Sequence, residues 1–124
     1  MSVADPGNLI GLGMAPALAG LVGGKCAAVT AAGSSISDAT ACTTKCSYVS
    51  GADGAKGVQI RATGKGEITL IKNVTNGNLL VYPPTGTAFN AGTANAAITV
   101  AAYTITVIIC YASDNYLAAE IPAA

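Results

Sequence analysis

The residues best equipped for chemistry are four cysteines, Cys26, Cys42, Cys46 and Cys110. Cys42 and Cys46 stand in a C-x₃-C spacing, with the other two far away in sequence. Three outcomes are open. Four thiolates could hold a zinc ion, although such sites ordinarily show two close pairs and this chain has one. The cysteines could form disulfides, in any of several connectivities. They could also remain thiols and pack as small hydrophobes.

Other catalytic material is sparse. The chain has no histidine, so it lacks the commonest general base and metal ligand, and a Ser-His-Asp triad is impossible. Asp38, Asp53, Asp114 and Glu67 each stand beside Gly, Ser, Asn or Ala in turn-like stretches, where a carboxylate ordinarily accepts hydrogen bonds from local backbone. The glycine-rich pieces Gly51 to Gly57 and Gly64-Lys65-Gly66 contain lysine, but neither has the spacing of a phosphate-binding loop ahead of a helix. The six basic residues are scattered singly without interleaved aromatics, which speaks against nucleic acid as a partner. Of the six aromatics, Tyr82 and Tyr111 fall inside apolar runs and are expected in the core with their hydroxyls at its rim. The chain is therefore read as non-enzymatic, with no cofactor and no metal site.

The elements that would position these residues are short. From Gly57 to Tyr116, apolar and β-branched runs alternate with Gly, Asn, Pro and Asp clusters, the rhythm of an all-β meander. Asn76-Gly77 between Glu67–Val74 and Leu79–Tyr82 predicts a two-residue type I′ hairpin. Pro83 and Pro84 stop the second run. Ile98 to Val100 and Thr104 to Tyr111 are further strands, and Ser113-Asp114-Asn115 turns the chain into Tyr116 and Leu117. Earlier strands are expected around Ala27 to Ala31 and Cys46 to Ser50, with no internal repeat at a solenoid period. In Thr104 to Tyr111, Ile105, Val107, Ile109 and Tyr111 point one way while Ile108 and Cys110 point the other. Such strands call for cover on both sides, by a second sheet or a neighbouring subunit.

The series GVQI, ITLIKN, LLVYPPTG, AFNAG, ANAAITVAA and a late aromatic after an Asp turn resembles a module of tailed-bacteriophage virion proteins. Ala31 to Thr40 is similar to that family's opening segment, so the resemblance covers roughly Ala31 to Leu117. Phe89 stands where the family more often has an aliphatic residue, and Tyr116 where it often has Trp. The resemblance implies a capsid decoration or cement-type β-sandwich, located on the capsid exterior after assembly in the host cytoplasm. In that reducing compartment, buried free thiols are the default for the four cysteines.

Composition agrees with a subunit that assembles. Only 10% of the 124 residues are charged, against about 25% for a typical soluble domain, and the formal net charge is zero, which removes colloidal repulsion. Residues 1–25 differ from the rest: Leu9, Ile10, Leu12, Met14, Leu18, Leu21 and Val22 are interrupted by many glycines and by Pro6 and Pro16. The only charge before Lys25 is Asp5, so the basic start of a secretory signal is missing. The apolar stretch is also too short and too broken to cross a membrane. It reads as an extended arm whose seven large apolar residues dock on a partner.

The expectation is an arm over 1–25 and one antiparallel β-sandwich, jelly-roll-like, over 26–124. Its partners would be the major capsid protein and other copies of itself in a homotrimer, with no nucleic acid and no membrane. Two functions compete: a decoration subunit that stabilises the shell, and a head-fibre or tail-appendage module that attaches to a host receptor.

Overall fold

Short β-branched runs punctuated by turn residues produce ten strands and no helix among the described residues, which in this computed structural model are 26–121. The arm expected over 1–25, with its docking residues, lies outside them. The strands are β1 (Cys26–Thr30), β2 (Thr40–Ala41), β3 (Cys46–Ser50), β4 (Gly57–Gln59), β5 (Ile68–Asn73), β6 (Leu79–Tyr82), β7 (Ala88–Phe89), β8 (Ile98–Val100), β9 (Ile105–Ala112) and β10 (Asn115–Ile121). They form a six-stranded sheet in the order β1-β3-β5-β9-β10-β7 and a four-stranded sheet in the order β2-β4-β6-β8.

The all-β expectation holds, but the antiparallel jelly-roll does not. From β1 to β6 the chain alternates between the two sheets, so each return to a sheet runs in the same direction as the strand before it. β1, β3 and β5 are parallel neighbours, as are β2, β4 and β6. This winding is a β-solenoid. The coil ends when β8 pairs antiparallel with β6 and β9 pairs antiparallel with β5. The β9–β10 hairpin follows, turning at Ser113-Asp114 as expected, with a register shift between Asn115 and Tyr116.

Between the sheets lies a single core. Val49, Ile71, Ile108 and Cys110 enter it from the larger sheet and Val58, Leu79, Val81 and Val100 from the smaller one. Period-two alternation decides which side chains go in: β5 alternates half-buried and buried residues along its whole length. Burying each of these Val, Ile and Leu side chains contributes roughly 1.5–3 kcal/mol. At one end of the core, the Phe89 and Tyr116 rings meet edge-on with centroids 6.3 Å apart, and the Tyr116 hydroxyl accepts from the Thr63 N–H.

Each of the first three corners from the larger sheet to the smaller is tied by one Asp or Asn side chain. Between β1 and β2, Asp38 Oδ1 accepts from the Ser35 hydroxyl at 2.7 Å and the Ser35 N–H at 2.8 Å. One coil later, Asp53 Oδ1 accepts from the N–H groups of Ala55 and Lys56 at 3.0 and 3.1 Å. Between β5 and β6, Asn73 Oδ1 accepts from the Thr75 N–H, and its Nδ2 donates to the carbonyls of Gly77, Val100 and Ala101. Asn73 is wholly buried, and these bonds satisfy both ends of its amide.

That last corner corrects the hairpin expectation. β5 and β6 belong to different sheets, and neither Asn76 nor Gly77 has the positive φ of a type I′ turn. Gly77 is needed for another reason: a Cβ there would lie 2.6 Å from the carbonyl oxygen of Ala52, in the corner of the preceding coil. Gly77→Val should therefore destabilise the fold by about 1–3 kcal/mol through overpacking between corners, read as a lowered denaturant midpoint. An unchanged midpoint would show that the corners do not stack this closely.

The aspartate corners also predict an acid response. The hydrogen bonds from the Ser35 hydroxyl and N–H hold the Asp38 carboxyl below its ordinary range, and the Ala55 and Lys56 N–H groups do the same for Asp53. A depressed folded value means that the contribution is complete above the unfolded value of about 3.9 and is lost as pH falls through the folded one. Asp38→Ala should lower the thermal midpoint at neutral pH and reduce the further drop between about pH 5 and pH 2. An acid response identical to that of the parent would remove Asp38 from this role.

Candidate binding face and the cysteines

The four cysteines do not converge. Cys26 and Cys46 are register partners on the parallel strands β1 and β3, with Cα atoms 4.4 Å apart, and they form a disulfide. Cys42 and Cys110 are free and buried. Burial pushes the Cys42 thiol up, and the Cys110 thiol donates to the Ala112 carbonyl. The expectation of four free thiols is thus overturned for one pair. The C-x₃-C spacing is not a site, because Cys46 turns outward to Cys26 while Cys42 faces the core. Among the described residues, no group of three or more His, Cys, Asp or Glu side chains could hold a metal ion.

The carboxylates do what turn aspartates do. Asp38 and Asp53 bond local backbone, as described above. Asp114 accepts from the Asn115 side-chain amide, and Glu67 lies 3.7 Å from Arg61 at the surface.

The outer wall of the larger sheet is different in character. Positions that alternate with the core residues project away from it, and register aligns them into rows. One row runs Ala28, Tyr48, Lys72, Ile105, Ile121. The next runs Cys26, Cys46, Leu70, Val107, Ala119, and a third Ile68, Ile109, Leu117. Lys72 is the one charged residue in these rows, and its ammonium donates to the Tyr103 carbonyl. Tyr48, Leu117 and Ile121 are 43%, 50% and 53% exposed, and nothing among the described residues lies over them. Large apolar side chains at this exposure, contiguous across β3, β5, β9 and β10, form an apolar patch rather than scattered surface hydrophobes.

Three tyrosines differ in what they face. Tyr111, expected at the core, is 49% exposed instead, because it continues the outward parity of Ile105, Val107 and Ile109. Tyr82 is buried as expected, and its hydroxyl donates to the Ser34 carbonyl at 3.0 Å. Tyr103 is half exposed at φ 61°, an unfavourable conformation for a bulky residue. It is held there by its N–H on the Thr75 carbonyl and by Lys72 on its own carbonyl.

The double-sided character of β9 was readable in the sequence. The matching positions Leu117, Ala119 and Ile121 on β10 were not singled out, although their alternation carries the same signal.

The cysteine assignment is checked by thiol counting. Denatured, unreduced chain should react with about two equivalents of a thiol reagent, for Cys42 and Cys110, and with four after reduction. Four equivalents before reduction would show that Cys26 and Cys46 are not joined.

No protein-family profile matches the chain, and neither a curated protein nor a solved structure shows significant similarity to it.

Proposed function

We propose that this chain is a non-enzymatic structural subunit of a tailed-bacteriophage particle, a decoration subunit that binds the exterior of the major capsid protein shell and stabilises it. The observation that carries the reading is the apolar outer wall of the six-stranded sheet, where Ile, Leu, Val and Tyr rows meet water with Lys72 as their only charge. A surface of this kind calls for protein cover. The low charge of the whole chain points the same way, and the resemblance of Ala31 to Leu117 to virion modules supplies the particle. In this scheme the apolar residues Leu9, Ile10, Leu12, Met14, Leu18, Leu21 and Val22 fasten the subunit to the shell, while the outer wall joins it to other copies. Assembly in the host cytoplasm would leave Cys26 and Cys46 reduced, and their bond would close once the particle meets oxidising surroundings.

A second reading, an appendage that contacts a host receptor, is favoured by the exposure of Tyr48, Tyr103 and Tyr111, since aromatic rings open to solvent suit recognition. The two are separated by the ratio of this chain to the major capsid protein in purified particles. A copy number comparable to that of the shell protein is expected for a decoration subunit. A count of a few to a few tens per particle would replace that reading with the appendage, and absence from the particle would remove both.

A further inference from the structure

We infer that the outer wall of the six-stranded sheet is a self-association face, on which a second copy of this chain packs sheet to sheet about a two-fold axis. The inference rests on reading this wall as an assembly surface and adds what covers it.

Size is the first argument. Six strands spaced at about 4.8 Å and two to eight residues long, at about 3.3 Å per residue, give a wall of roughly 500 Å² in projection. Stable associations bury about 800 Å² per partner, and corrugated side chains expose more area than their projection, so the wall is on the scale of one half of such an interface.

Shape is the second. The wall is a pleated sheet face with aligned rows of Leu70–Val107–Ala119 and Ile68–Ile109–Leu117. Another pleated face covers such rows along their length, with the two sheets about 10 Å apart and their side chains interdigitated. The same patch can meet itself only across a two-fold axis, so full mutual cover gives a pair rather than a ring of three.

Charge is the third. Lys72 is the sole charge in the rows and is bound to the Tyr103 carbonyl at the end of the strands. Two identical walls therefore meet with almost no repulsion. An acidic or basic partner would find little that is complementary in these rows.

The test is sedimentation equilibrium of the free full-length protein, so that failure here is separate from failure to bind a shell. The expected species has twice the 12.1 kDa chain mass. Leu117→Glu and Ile121→Glu, at half-exposed positions where folding tolerates the change, should each raise the dimer dissociation constant by about 100-fold or more, because a carboxylate is forced into an apolar contact. Their circular dichroism should match that of the parent. Thr99→Glu, at an exposed position on the smaller sheet, should leave the dimer intact. A monomer at all concentrations or a trimer overturns the inference. So does a dimer indifferent to both wall substitutions, or one that Thr99→Glu dissolves equally well.

Discussion

The structure depends on keeping successive coils in register at the corners. A parallel ladder forms only if the chain leaves one sheet, crosses in the other, and returns at the same height. The crossing segments here are short strands instead of helices, so little material is available to set the return. Asp38, Asp53 and Asn73 supply it. Each bonds the backbone a few residues along its own corner, and corner backbones then bond one another, as when Ala31 donates to the Ser50 carbonyl, Gly54 to that of Asn78 and Val74 to that of Val49. The close approach at Gly77 follows from this stacking, and so does the alignment of the rows on the outer wall.

How much of this was legible can be said residue by residue. Strand existence was readable, because runs such as ITLIKN and ITVIICYA carry β-branched residues at period two, and the stop at Pro83 and the turn at Ser113-Asp114 obey local rules. The winding was hidden for two reasons. Asn76-Gly77 satisfies a local turn rule that the tertiary structure overrides, since whether two adjacent runs pair or separate into different sheets is decided by the core between them. The coils are also unequal. Cys46 follows its neighbour Cys26 by 20 residues, the next step to Leu70 is longer and the step from Thr40 to Val58 is shorter, so no fixed period marks the solenoid.

The outer wall was legible as a demand and not as a place. Ile105, Val107 and Ile109 announce apolar residues on both sides of one strand, which requires two covers. Only the register of β9 with β5 and β10 shows that the inner cover is the smaller sheet and that the outer rows continue to Leu70 on one side and Leu117 on the other. The cysteines behave similarly. Spacing pairs Cys42 with Cys46, whereas the parallel ladder pairs Cys46 with Cys26, a relation that exists only once coil is stacked on coil.

The reversal at β8 and β9 gives the molecule a direction. Three strands in each sheet run parallel, and then the chain turns back and seals that side of the stack with antiparallel partners and the two-residue edge strand β7. Among the described residues, the opposite side ends on β1 and β2, whose outer edges are parallel and unpaired. A coil stack with two matching ends could add copies head to tail without limit and grow into a fibre. At the sealed end the smaller sheet finishes on β8, opposite in sense to β2, while the larger finishes on β7, which shares the sense of β1 but is only two residues long, so a head-to-tail joint could not repeat the ladder that stacks coil on coil.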